Sequence, residues 1–421
     1  MNFRTFENWL SSRIAVKSRL KKVCLCFVMF FMIETRKHSL QEAARFWGMN
    51  KSQFSRFLKN HSPLAVYTLD DLSKKQAKEF SKVVNWLAKG SLPWKIAILI
   101  DSTIQGRASL HTDNAKRFNH GKGFVIGHQW TNIVLVINDM IIPLPPIAFH
   151  TKKYCRKNNL EYKTENVLVI EYINNLQLAD YIGNHNPKEV VVLADSGYDD
   201  KRIENAVVKK KWNFIIALNK TRSVKSERQN ANTPKSEGWT HIAEFFKTHR
   251  RPGWKTIRIP TNSSKRKRME FRIRQIIGYL RHVGRVQLIC SEFKKRRNGR
   301  RKYLACNDLR VKPRQILIGY RLRWKIEIFH KEVKMFLGFE DVATKWFVSV
   351  IAHVHWVYCA YILLHSNPPG LPEHTTSLAD KQRKIKGIID SKEKARVIQL
   401  LTQINGSDRY KNELQTVLKA A

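Results

Sequence analysis

KIAILIDS, from Lys95 to Ser102, is a short unbroken apolar run that closes on an acid, Asp101. A run of that length without polar alternation reads as a strand buried on both faces. EVVVLADS, from Glu189 to Ser196, repeats the design and closes on Asp195. Around them the pattern predicts strands from Phe124 to Ile137, from Ile141 to Phe149 and from Asn213 to Asn219. The first two of these are expected as antiparallel neighbours about Asn138 and Asp139. Helices are expected over 160–183 and 200–210. This order predicts an α/β fold, a mixed sheet with helices on its faces. Ligand sites in such sheets lie at strand carboxyl ends, so adjacent strands would let Asp101 and Asp195 share a divalent cation. An Asp after a strand is also a common helix cap, so neither acid decides the matter alone.

Residues 318–336 read as one helix. Tyr320, Arg323, Glu327 and Lys334 stand at offsets of 0, 3, 7 and 14. At about 100° per residue these fall within an arc of about 60°. Leu322, Ile326, Phe329, Val333 and Phe336 take the opposite arc and are expected to pack on the sheet. A solvated face with helical ion pairs accounts less readily for a phenol and an Arg in line with an acid and a Lys.

Outward from this core the character changes. Residues 251–302 hold 18 Lys and Arg against two acids, Glu270 and Glu292. Half-exposed alternation at Phe271, Arg285–Cys290 and Lys302–Cys306 marks 222–311 as a β-rich insertion, with Lys294–Arg301 as the loop of a basic hairpin. The core is therefore read in two parts, 89–221 and 312–366. Residues 1–88 read as helical. Ser39 and Glu42 have the spacing of a capping box, Gly48 ends that helix, and Asn50 with Gln53 begins another. Phe54, Phe57 and Leu58 are expected inside, leaving Lys51, Ser52, Gln53, Ser55, Arg56 and Lys59 outside. That is the layout of a helix-turn-helix, in which a polar second helix enters a DNA groove, although an ordinary helical hairpin shares it. Residues 367–421 read as a linker and a helical tail, the helix roughly 376–420.

The whole chain of 421 residues carries 77 Lys and Arg against 34 Asp and Glu, a formal net charge of +43. Such a balance points to a polyanionic partner, nucleic acid before an anionic membrane. A hydrophobic content of 43% excludes a disordered basic tail. Six Cys without regular spacing exclude a disulfide framework, and Cys24 with Cys26 lacks the second pair of a zinc site. Val23–Ile33 is too short to span a membrane and 347–364 carries two His and a Ser, so both are expected as buried helices. His111, His120 and His128 near the second strand need no metal as polar residues.

Asp101 after its strand, the segment from Ala194 to Asp199, and the Tyr320–Arg323–Glu327–Lys334 spacing together resemble DDE transposases of bacterial insertion sequences, in the group with a Y-R-E-K signature. The resemblance covers about 90–365. It implies an RNase H-like mixed sheet flanked by helices, a β-rich insertion where 222–311 lies, and a helical DNA-binding region before the core. It further implies that Asp101, Asp195 and Glu327 are catalytic and hold two Mg²⁺ ions, Mn²⁺ substituting. Tyr320, Arg323 and Lys334 then hold phosphates of a DNA end. Trp324 could stack a displaced base or sit in the core. Hairpin-forming members of the family use an aromatic residue of the insertion to hold a flipped base, and the matching position here is Tyr303. The expected partners are double-stranded DNA, as terminal inverted repeats and target, and a second copy in a synaptic dimer. The expected setting is the cytoplasm, at the nucleoid, with no membrane. An RNase H-fold nuclease or resolvase without strand transfer, and a non-catalytic helix-turn-helix repressor, are the competing readings.

Overall fold

The computed structural model describes residues 3–403 except 17, 35–36, 121–122, 228–237, 250–251, 261–267, 295–300, 370 and 372–376. Five helices come first: α1 (Phe3–Arg13), α2 (Ser18–Ile33), α3 (Leu40–Trp47), α4 (Lys51–Asn60) and α5 (Ser62–Phe80). Strands β1 (Ile96–Gly106), β2 (Lys116–His120), β3 (Gly123–Ile137), β4 (Met140–Pro143) and β5 (Ile147–Ala148) follow. Next are α6 (Lys152–Lys157), α7 (Glu165–Asn175), α8 (Ala179–Ile182), β6 (Val190–Ala194), α9 (Lys201–Lys209) and β7 (Asn213–Leu218).

Strand β1 runs antiparallel to β3 and parallel to β6, β6 runs parallel to β7, and β4 turns back on β3 through Asn138 and Asp139, both at positive φ. The spatial order β4-β3-β1-β6-β7, three antiparallel strands then two parallel to the first, is the expected RNase H-like sheet. Alternate residues of the buried strands feed two layers. Ala97, Leu99, Val191 and Leu193 face one apolar cluster, whereas Ile96, Ile98, Val190 and Val192 face the other.

The insertion adds β8 (Ser223–Ser226), β9 (Thr240–His241), α10 (Ile242–Thr248), β10 (Lys255–Pro260), β11 (Arg268–Leu280), β12 (Gly284–Phe293) and β13 (Lys302–Cys306). It does not fold apart from the core. Strand β13 pairs antiparallel with β7, so the described strands form one sheet of thirteen. Of the basic hairpin loop, 295–300 lie outside the described residues. The chain closes with α11 (Pro313–Leu322), α12 (Trp324–Phe336), α13 (Phe347–His365) and α14 (Leu378–Gln403). Positions 404–420 of the expected tail helix lie outside the described residues.

Four expected elements need correction. The strand expected to end at Asp101 runs on to Gly106, paired with β3 throughout, so that acid lies within the strand. The strand expected over 141–149 is two short ones, because Pro143, Pro145 and Pro146 deprive the ladder of donors. The helix expected over 160–183 starts at Glu165 and breaks at Leu176, whose φ of −63° and ψ of 113° are extended; Asn174 and Asn175 are poor helix formers just before the break. The helix expected over 318–336 begins earlier, with Pro313 in its first turn, and tightens at Arg323, where three-residue hydrogen bonds run to Tyr320 and from Ile326.

At the N-terminus the Ser39 hydroxyl accepts from the Glu42 amide at 3.2 Å, Gly48 has a φ of 60°, and Asn50 accepts from the Ser52 amide at 2.8 Å. The reciprocal half of the first capping box is missing: the Glu42 carboxylate pairs with Arg45 instead. Gln53 does not close the second box either, since Asn50 caps Ser52. Phe54, Phe57 and Leu58 are buried, and Lys51, Ser52, Gln53, Ser55, Arg56 and Lys59 are exposed. The apolar stretch at Val23–Ile33 lies within α2, its residues from Phe27 onward fully buried. Among the described residues one helix, α13, is long and apolar enough to cross a membrane, and it is buried at the centre of the fold.

Candidate active site

Ile100 and Ala194 are register partners on the parallel strands β1 and β6. The next residue on each is the acid, so Asp101 and Asp195 stand side by side, about 5 Å apart along the hydrogen-bonding direction, Asp195 just past the end of β6 and Asp101 within β1. Asp195 caps a single 3₁₀ turn, Ser196–Tyr198, by accepting from the Gly197 amide at 2.8 Å through Oδ1. The cap reading of that acid is therefore seen directly, through Oδ1.

Glu327 reaches the same place from α12. The Arg323 guanidinium donates to Asp101 Oδ2 at 3.1 Å and to Glu327 Oε1 one turn away. Burial pushes the Asp101 carboxyl up to about 6; Arg323 opposes that, while Asp195 and then Glu327 add to it. Feeling both other acids, Asp101 belongs to one cluster of like charge with them. Tyr320 is half-buried, its ring within 6.0 Å of Arg323 and 4.9 Å of Lys302.

The remaining expected residues fall in different surroundings. Lys334 donates to the Ile104 carbonyl at 2.6 Å and pairs with Glu340 at 3.2 Å, at the far end of β1 from the sheet centre. Trp324 is 56% exposed, which removes the core alternative for it. Tyr303 is a correction: it is 5% exposed, stacked on Phe246 with ring centroids 6.0 Å apart. The strand's period of two turns it to the opposite face and turns Lys302 toward the site. On α4, Lys51, Ser52, Gln53 and Arg56 face outward, while Lys59 lies 4.4 Å over the ring of Trp346. Of the His group, His128 is buried on the Asp113 carbonyl and pushed down to about 4, chiefly by desolvation.

Two residues near the acids were not foreseen. Lys302 lines a cavity of about 670 Å³ between the insertion and α11–α12, with Phe271, Phe293, Leu317, Tyr320 and Trp324 around it. Its neighbour Tyr303 drew attention, and the strand's parity was the signal that could have selected Lys302. Glu165, first residue of α7, accepts from Thr131 at 2.7 Å, Tyr198 at 2.8 Å and Gln129 at 2.5 Å, tying β3 to the turn after Asp195. It was hidden inside an expected helix interior.

Carboxylate oxygens are the donors a hard divalent cation prefers, and Arg323 ties two of the acids, Asp101 and Glu327, together. Among the described residues no group of three or more His, Cys, Asp or Glu is drawn close enough to enclose an ion. The Arg323 guanidinium spans the space between Asp101 and Glu327. A model of the transposase DDE domain matches residues 95–363. No curated protein matches the chain. The matched span runs from the first residue before β1 to the end of α13, taking in the sheet, the insertion and all three acids, and the chain thus belongs to the transposase DDE domain family.

Proposed function

We propose that the protein binds the ends of its own element, nicks them in a Mg²⁺-dependent reaction and joins the freed 3′ ends to target DNA. The observation that carries this reading is the convergence of Asp101 and Asp195 on neighbouring parallel strands, with Arg323 joining Asp101 to Glu327. Asp101, Asp195 and Glu327 would hold two Mg²⁺ ions, with Mn²⁺ as substitute. When bound, such ions supply charge stabilisation at the attacking and leaving oxygens of an in-line phosphoryl transfer.

The chain's own residues orient the DNA. Arg323 can exchange its two carboxylates for the oxygens of one phosphate, because a guanidinium offers a planar, two-pronged donor set. Lys334 and Lys302 serve as point charges, Tyr320 as a hydroxyl donor, and exposed Trp324 as a surface for an unstacked base. Lys51, Ser52, Gln53, Arg56 and Lys59 on α4 contact the duplex away from the cut. A homodimer holds two ends together, and the protein works in the cytoplasm at the nucleoid.

The test combines labelled end DNA, a target plasmid and Mg²⁺. Joined products are expected from the wild type. Asp101→Ala, Asp195→Ala and Glu327→Ala should each lose cleavage and joining while still retarding end DNA. Nicks without joining would favour a nuclease or resolvase, and binding without cleavage a repressor. Strand transfer at near-normal rate by any of the three variants would overturn the ligand set.

A further inference from the structure

A buried polar chain starts beside Asp101 and runs into the contact of α12 with α13. Asn132 on β3 is the register partner of Asp101 on β1. Its amide nitrogen lies 2.8 Å from His330 Nε2, and its amide oxygen accepts from the Tyr358 hydroxyl at 2.6 Å. Asn132 is 1% exposed, Tyr358 fully buried and His330 nearly so. Burial, then Lys334 and Arg323, push the His330 imidazole down to about 3, which favours the uncharged ring, and with the proton on Nδ1 its Nε2 accepts from the Asn132 amide.

The placement of the three partners gives the chain its meaning. His330 follows Glu327 by one turn of α12 and precedes Lys334 by one turn. Tyr358 comes from α13, and Asn132 from the strand beside Asp101. Around it Phe329 packs edge-on against Tyr358 and Tyr361, with centroids 4.8 and 4.9 Å apart, and further polar contacts of α12, Tyr361 to Glu332 at 3.3 Å and Lys334 to the Ile104 carbonyl, are made by long side chains nearer the surface. Apolar packing holds a helix against a sheet but fixes its rotation weakly, whereas paired donors and acceptors are satisfied at one setting only. With side chains the helix is about 10–12 Å across, so a turn of about 20° about its axis moves the Glu327 carboxylate by about 2 Å. That is enough to spoil a shared ion.

We propose that Asn132, His330 and Tyr358 are positioning residues that set the rotation of α12 so that Glu327 meets Asp101. The inference rests on Glu327 being a metal ligand, as proposed above. The experiment compares the wild type with Asn132→Leu/His330→Leu/Tyr358→Phe, which removes the whole chain and leaves no buried polar orphan. Mn²⁺ affinity is read from the free-ion electron paramagnetic resonance signal, beside thermal melting and the Mg²⁺ dependence of cleavage. The triple variant should keep its melting transition and end-DNA retardation, while Mn²⁺ affinity and cleavage each fall about 10-fold, as for other residues that orient metal ligands. Tyr358→Phe, which keeps the His330–Asn132 contact, should show the same shift at smaller size and covers the case in which the triple variant does not fold. Glu327→Gln is run alongside. If it binds Mn²⁺ as tightly as the wild type, the ligand set fails and this inference with it. If it weakens Mn²⁺ binding but the chain variants do not, the positioning role alone is overturned.

Discussion

Arg323 is the cation that bridges Asp101 and Glu327, and on the proposed reading it stands where an ion would have to bind. Its side chain is 13% exposed and bridges Asp101 and Glu327. If these acids hold a divalent ion, as proposed, the ion competes with Arg323 for the same oxygens, and a DNA phosphate would draw the guanidinium away. Arg323→Ala should therefore bind Mn²⁺ more tightly than the wild type when DNA is absent, at pH 8 where Asp101 is ionised. An ion pair worth about 1 kcal/mol corresponds to about fivefold in affinity. The same variant should cleave end DNA more slowly, since the phosphate clamp is gone. Mn²⁺ titration checks the first expectation; weaker binding in the variant would mean that Arg323 orients the acids and does not compete. Half of this was legible in the sequence. Helical spacing put Arg323 beside Glu327, but nothing in spacing says which strand lies across from a helix, so the bond to Asp101 was invisible. The same blindness hid Asn132, an ordinary residue inside an apolar strand.

Among the elements, those with strong local signals came through best. The strand closing on Asp195, the Gly48 stop, and the burial of Phe54, Phe57 and Leu58 on α4 were all readable from pattern, and so was β1 except for its run past Asp101 to Gly106. What failed was decided by competition between partners: Glu42 had a free choice between the Ser39 amide and Arg45 and took the Arg. Strand parity was the other gap, since a choice between Lys302 and Tyr303 depends on which face meets α11. On α4, Lys59 sits over Trp346, in the segment that follows α12 and whose Glu340 holds Lys334. This element therefore reaches toward the site as well as outward. If Lys59 contacts a phosphate, Lys59→Ala should weaken all DNA sequences alike and reduce the salt slope of binding by about 1. Arg56→Ala, at the middle of the exposed face, should instead cost about 1–3 kcal/mol on element ends and less on unrelated duplex. Binding isotherms at several salt concentrations separate the two, and an unchanged slope for Lys59→Ala would take that residue off the phosphate backbone.

On the scale of the molecule, the change in sequence character near residue 88 does not coincide with a gap in packing. Phe57 stacks on Trp356 of α13 with centroids 5.6 Å apart, Phe27 meets His353 at 6.5 Å, and Gln76 of α5 donates to the Ile362 carbonyl and to Ser366. Gln382 of α14 donates to the carbonyls of Phe31 and Phe336, joining both ends of the chain to α12. One apolar cluster runs from Phe6 through the sheet to Ile389. Composition can show where charge and hydrophobicity change, but not which apolar faces meet, so this continuity could not be read in advance. It carries a consequence for handling the protein. Without residues 1–88, α13 would lose its cover of Phe27, Phe54, Phe57, Leu69 and Leu72, and an apolar face of that extent drives association. A chain of 89–421 should therefore be insoluble or associated when expressed alone, while the full chain should melt in one cooperative step that includes both regions. Calorimetry of the full chain and gel filtration of the truncated one test this. A monomeric 89–421 with a sharp transition of its own would show that the N-terminal helices are a separable unit, and that the net charge of +43 is divided between two bodies instead of spread over one.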